Sequence, residues 1–272
     1  MTVHDQTHHH STRLCNGATA VKHAARVLRG ILLLTASFLI TSTSSVLSTP
    51  LSKATAPPNI LTPFEAKYSI RSSAIPFEGK ITRALRQNQN GEWEAHTHAK
   101  AFASSVEENS RFTLQDCDVK SQHFYYKRTV FGKKKFWSLH FDWPNKRVTY
   151  TLEKSDDQHP PLAIETASLA DRLSEQFSVQ CHVSRGEASF TLPAIHKDKV
   201  SIHHYQIVGE ELLETPNGKL STIKVIKQHE NPERITTVWL APSYRYLMVR
   251  LIQKDDDETL RVEIKQFPKN EL

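Results

Sequence analysis

Histidines and carboxylates are the residues of this chain whose spacing invites chemistry. His96 and His98 stand two apart, and on a strand that spacing sends both to one face, where two imidazoles can hold a metal if a third ligand joins them. His123, His140, His203 and His204 are available for that third place, and nothing in their spacing brings one near. Glu107/Glu108 and Glu210/Glu211 are adjacent pairs, so on strands their members face opposite ways and neither pair makes an acid–base dyad by itself. Asp142 lies between Phe141 and Trp143, flanks that would raise its pKa if it were buried. Its place ahead of Trp143-Pro144 reads better as that of a turn-former. Lys133-Lys134-Lys135 sits at a hairpin tip, solvated and within reach of anionic head groups. The nucleophile elbow, the zinc-protease pair, C-x-x-C, the Walker loop and G-x-G-x-x-G are all missing from the sequence. No catalytic residue, metal or cofactor is therefore assigned, and the reading leans away from an enzyme.

The elements that would carry these residues alternate with period two. Trp137, Leu139, Phe141 and Trp143 alternate with polar neighbours, as do Val148, Tyr150 and Leu152, and Leu260, Val262 and Ile264. One apolar and one polar face per strand is the pattern of an antiparallel sheet. Turn signals at Asn88–Gly91, Phe131–Lys133, Trp143–Asn145, Pro216–Gly218 and Asp255–Asp257 punctuate the runs as successive hairpins. One segment, Thr166–Val179, instead sets Leu169, Leu173 and Phe177 on one helical face, with Thr166 or Ser168 as the cap. The expected fold is mostly β: a long curved antiparallel sheet of about eight to twelve strands, half-open and barrel-like, with one principal helix.

The N-terminus reads as an export signal. The apolar run Gly30–Thr41 follows Arg26 and Arg29 and precedes a Ser/Thr-rich stretch, and its 12 residues are short of the roughly 18 a membrane span needs. Residues 1–48 are thus a signal peptide, or an uncleaved inner-membrane anchor; 49–63 is a Pro/Ser/Thr-rich tether; 64–272 is a single β-rich domain. The formal charge of +6 divides equally between residues 1–48 and the rest, so the domain is near neutral and nucleic acid is not an expected partner. Cys117 and Cys181 remain after export, either bridged or as two buried thiols.

Several segments in order carry a likeness: Pro63–Tyr68, Gly79 with Arg83–Leu85, Glu107–Phe112, Tyr125–Arg128, Phe141–Trp143, Asp171–Ser174, Gly209–Leu212, Thr215–Leu220, Trp239–Pro242 and Tyr246–Leu251. Together they resemble the DUF3108 family, bacterial exported proteins of unknown function, over about residues 62–267. Met248 departs from the pattern, where the family more often has proline. The resemblance implies an envelope-associated β-rich domain and no reaction. Its recurring positions here are Glu108, Asp142, Trp143, Asp171, Glu211, Gly218 and Trp239, each with a structural explanation at hand, such as the Thr215–Gly218 turn or the Trp143 and Trp239 sheet anchors.

The function expected is non-catalytic: a periplasmic envelope protein binding a lipid-like ligand or an envelope partner. Leu169, Leu173, Phe177 and Trp143 would line the space between helix and sheet. Two other readings stand beside it. One is an enzyme on an envelope lipid or polymer with Asp142, His140 or Glu108 as acid–base groups; the other is a structural partner in an envelope assembly. A cavity with apolar walls favours the first, a carboxylate–His pair converging in a cleft the second, and a filled core the third.

Overall fold

A computed structural model describes residues 60–152, 159–229, 231, 233–255 and 257–269. The export segment at 1–48 and most of the 49–63 tether lie outside the described residues; Ile60 and Leu61, at the end of that tether, pack onto the core.

Alternation becomes a meander of hairpins. The first half of the domain is β1 (Phe64–Ser72), β2 (Ile75–Gln87), β3 (Trp93–Ala101), β4 (Ser104–Gln115), β5 (Asp118–Val130), β6 (Lys133–Asp142), β7 (Arg147–Leu152) and the two-residue β8 (Leu162–Ala163). After β9 (Ala170–Asp171) and helix α1 (Glu175–Ser184) come β10 (Ser189–His196), β11 (Lys199–Thr215), β12 (Gly218–Gln228), β13 (Ile235–Ala241), β14 (Leu247–Asp255) and β15 (Glu258–Gln266). All fifteen belong to one sheet in the order β8-β7-β6-β5-β4-β3-β2-β1-β15-β14-β13-β12-β11-β10-β9. First and last long strands therefore pair at its middle, Tyr68 opposite Ile264. Among the described strands every pairing is antiparallel except β9 with β10, and Leu169 adds an isolated parallel bridge to Lys120. The described residues form thirteen longer strands and the two-residue β8 and β9, more than the expected eight to twelve.

The sheet is not closed, but one segment reaches across its curl. Ala170 and Asp171 pair with Ala194 and Ile195 of β10. Their neighbour Leu169 bonds β5 on both sides: its N–H donates to Val119 O at 3.0 Å, and its C=O accepts from Ser121 N at 3.1 Å. A few residues thus tie β10 to β5, and this is why the helix begins late. The helix expected at Thr166–Val179 is corrected to Glu175–Ser184. Leu169, Leu173 and Phe177 do share one core cluster, but from an extended stretch, a turn and a helix respectively. Thr166, read as a cap, instead bonds Ser168 O through its hydroxyl.

Helix α1 then fills the curl. Phe177 stacks on Phe112 at 5.1 Å in one core cluster, while Val179 and Val183 belong to the other with Trp239, Leu240 and Val262. Trp137, Leu139 and Phe141 are buried as read. Trp143 is only half-buried, because β6 ends at Asp142 and the alternation stops with it.

Cys117, in the β4–β5 turn, is bonded to Cys181 of α1, with Cα atoms 5.2 Å apart. The bond closes a loop with a sequence separation of 64, for which chain entropy predicts about 4 kcal/mol. Replacing both cysteines by serine should lower the urea unfolding free energy by about that amount; a double variant as stable as the parent would contradict it.

Candidate functional site

Two buried carboxylates at the start of α1 organise the interior. Asp171 has no exposed surface. Its Oδ2 accepts from Ser110 Oγ at 2.6 Å and Ser121 Oγ at 2.7 Å. Its Oδ1 accepts from the backbone N–H of Leu173 at 2.8 Å and of Ser174 at 3.0 Å. Ser174 Oγ and Ser121 Oγ lie 2.9 Å apart and close the network. Burial pushes this carboxyl above its usual range, against the pull of those four donors. Trp143 joins the same assembly by donating Nε1–H to Ser121 O at 2.7 Å, with Lys120 over its ring. Of the recurring family positions, Asp171 and Trp143 thus come together, through Ser121.

Glu175, one turn further, faces the other half of the sheet. Its Oε1 accepts from His203 Nδ1 at 2.5 Å and from Tyr205 OH at 2.6 Å, and Lys227 Nζ lies 3.1 Å from each of its oxygens. Burial alone would raise its pKa, but His203, Lys227 and Tyr205 outweigh it and hold the group at about 2. These partners come from β11 and β12, far along the chain, and no local motif announces them.

Beside Glu175 lies a cavity of about 390 Å³. One part of its wall is apolar, with Val179, Ile195, Val238, Leu240 and Leu251; another is cationic, with Arg83, Arg172, Lys227 and Arg234. Three of the four cations have carboxylate partners: Arg172 with Glu108 at 3.0 Å, Lys227 with Glu175, and Arg234 with Asp255 at 3.5 Å. Arg83 differs. Its guanidinium, half-buried in the sheet's curl, meets Thr97 Oγ1 at 3.4 Å and Met248 Sδ at 3.6 Å, both poor acceptors at those distances. Burial pushes its pKa down, yet an arginine stays charged. His196 and His229, on the same wall, are held at about 4 by burial first and by neighbouring cations such as Arg172 and Lys227, so both rings are neutral at neutral pH.

The remaining residues singled out from sequence fall elsewhere. Leu169, Leu173 and Phe177 are fully packed and do not line the cavity; the α1 face that does presents Glu175, Gln176, Val179 and Gln180. His96 and His98 share a face as expected, but it is exposed, and among the described residues no group of three His, Cys, Asp or Glu could hold a metal. Asp142 is a turn-former: it accepts from Asn145 N at 3.2 Å and Arg147 Nε at 3.0 Å. Hydrogen bonds from the Asn145 side chain and backbone and from Arg147 outweigh the opposing effect of burial and hold its pKa low, not raised. His140 is exposed, whereas Glu108 faces inward onto Arg172, so these three do not gather. Glu211 accepts from Trp239 Nε1 at 3.0 Å and pairs with Lys224, and Gly218 takes φ +91° at the β11–β12 turn. The signal that could have found Arg83 is its phase: it lies between Ile81 and Leu85, buried positions on the inner face of β2.

The model of the family described as Protein of unknown function (DUF3108) matches residues 67–265. Among solved structures, a β-barrel-like protein of domain of unknown function DUF1849 from Brucella abortus aligns over 76% of this chain and 98% of its own, at TM-score 0.51 and 8% identity. LprF from Mycobacterium bovis aligns over 76% of this chain and 87% of its own, at TM-score 0.27 and 10% identity. No curated protein matches. The first likeness is one of fold.

Asp171→Ala would strand two hydroxyls and two backbone N–H groups and should cost on the order of 3–5 kcal/mol, read by urea denaturation. Glu175, with its pKa lowered from 4.5, contributes stability that is present above that value and lost as pH falls toward about 2, on the order of 3 kcal/mol. Glu175→Gln should be less stable than the parent at pH 7 and should lose less on acidification between those limits.

Proposed function

We propose that this chain, which belongs to the DUF3108 family, is a non-catalytic binder of a lipid-like anionic amphiphile, held in the cavity beside α1 with its acidic head on Arg83. The observation that carries the reading is Arg83: a half-buried guanidinium with no carboxylate in ion-pair contact, facing a cavity whose other wall is apolar. A partly desolvated cation without a contacting anion is costly, and an incoming carboxylate or phosphate offsets that cost in a bidentate geometry. An acyl chain suits the Val179, Ile195, Val238, Leu240 and Leu251 side, and the volume falls within the roughly 300–1,000 Å³ of small-molecule sites. Leu169, Leu173 and Phe177 serve as the packed floor that fixes α1, and Trp143 as its brace.

The protein acts in the periplasm. The Arg26/Arg29-flanked apolar run directs export and cleavage falls between Ser44 and Pro50, while the Cys117–Cys181 bond suits an oxidising compartment. N-terminal sequencing of the mature protein checks this; an intact Met1 in the cytosol contradicts it.

The binding test is titration with an environment-sensitive fluorescent fatty acid, beside native mass spectrometry of protein purified from the periplasm. Arg83→Met should weaken binding roughly tenfold or more while keeping the fold. No saturable binding by the wild type, and no co-purified lipid, would remove the proposal.

A second reading, acid–base chemistry on an envelope lipid or polymer, is favoured by one observation: Glu175 orients the His203 ring at the cavity wall, leaving Nε2 for a substrate. Hydrolysis of an acyl ester that His203→Gln abolishes while leaving binding intact would establish it.

A further inference from the structure

We propose that the three consecutive hairpin tips β1–β2, β3–β4 and β5–β6 form a docking edge for the surface of an anionic lipid bilayer. The proposal rests on these tips and not on the cavity. Phe77, near the start of β2, is 48% exposed; Phe102, between β3 and β4, is 77% exposed; Phe131, between β5 and β6, is 75% exposed. The rings are joined into one surface: Phe77 stacks on Phe102 at 5.0 Å, and Phe102 meets Phe131 edge-on at 6.3 Å. A contiguous aromatic patch facing water marks a contact surface, where isolated exposed apolar residues do not.

Backbone geometry sharpens the point. Phe102 and Phe131 hold φ of +48° and +45°, a region that disfavours bulky side chains and that glycine or asparagine enters readily. A turn needing only to reverse the chain gains nothing from phenylalanine there. The tips are also built close: a Cβ on Gly79 would meet Ile70 Cγ2 at 2.7 Å and Lys100 O at 2.9 Å, so β1, β2 and β3 are pressed together beneath the aromatic patch.

The charges identify the occupant. Lys80, Lys100, Arg128, Lys133, Lys134 and Lys135 each lie within four residues of one of the three rings on the same hairpins, all exposed, and none pairs with a carboxylate among the described residues. The register sets Lys80 opposite Lys100 and Arg128 opposite Lys135. Like charges directly across a strand pair repel, and an anionic surface relieves that repulsion. Glu78 is held by Arg71. The acids Asp255, Asp257 and Glu258 belong to the β14–β15 hairpin on the other side of β1, where Glu258 accepts from Ser72 Oγ at 2.5 Å, so positive charge is concentrated toward the β3–β4 and β5–β6 tips. Rings that enter the head-group boundary, rimmed by lysines that meet anionic lipid, are the elements of interfacial binding.

The test is co-sedimentation of the full chain with vesicles of phosphatidylcholine alone or mixed with phosphatidylglycerol, at low and physiological salt. Phe77→Ser/Phe102→Ser/Phe131→Ser and Lys133→Glu/Lys134→Glu/Lys135→Glu are compared with the parent, and thermal unfolding checks that the fold is kept. The parent should sediment with phosphatidylglycerol vesicles and be released by salt. The phenylalanine variant should lose roughly tenfold or more in partitioning, and the lysine variant should lose its preference for the anionic lipid. Equal sedimentation of all three chains would overturn the proposal, since binding would then belong to another segment such as 30–41. So would a parent that does not sediment. Self-association of the parent that the phenylalanine variant loses, without vesicle binding, would overturn it in favour of a second copy of the chain.

Discussion

The interior of this domain depends on one buried carboxylate accepting four hydrogen bonds. Asp171 sits where β9 touches β10, where its neighbour Leu169 bonds β5, and where the chain turns into α1. Its oxygens collect hydroxyls from β4 and β5 and the two N–H groups that open the turn. Without those partners the desolvated carboxylate would be too costly to bury; with them it sets the position and direction of the helix. Everything packed on α1 follows from that anchor, including the Phe177–Phe112 stack, the disulfide through Cys181 and the placement of Glu175 toward the second half of the sheet.

A sheet this long must bury one face, and among the described residues a single ten-residue α-helix is there to cover it. The helix fills the curl unevenly. Large side chains on the β4–β7 side leave a dense core, whereas toward β11–β14 the polar Glu175 and Gln180 face strands that also carry charge. Space remains there because charged side chains keep their distance and their desolvation forbids collapse. The cavity and the buried ion network are thus two results of one choice, polar residues at inward phases of the strands.

That choice separates the interior site from the hairpin tips. Inside, Arg172, Lys227 and Arg234 are paired with carboxylates, whereas Arg83 meets Thr97 and Met248 instead. At the tips, cations stand beside exposed rings with no carboxylate partner among the described residues. The disulfide holds the β4–β5 turn to α1, so the strands bearing those tips are tied to the element that bounds the cavity.

Sequence alone determined the strands, their turns and the half-open sheet, because period two and turn chemistry are local properties. Trp137, Leu139 and Phe141 read as an inward face and are one; Asp142 read as a turn-former and is one. The pattern Leu169/Leu173/Phe177 was legible as a set of core residues but not as to backbone, since three residues spaced by four can reach one core from a strand, a turn and a helix. Only the tertiary structure decided that the chain stays extended to Asp171, because the partners that hold it, Val119 and Ser121, lie about fifty residues earlier. Only it decided the site, too: Arg83, Glu175, His203 and Lys227 stand on β2, α1, β11 and β12, and no local spacing records which of these the curl of the sheet brings to one cavity.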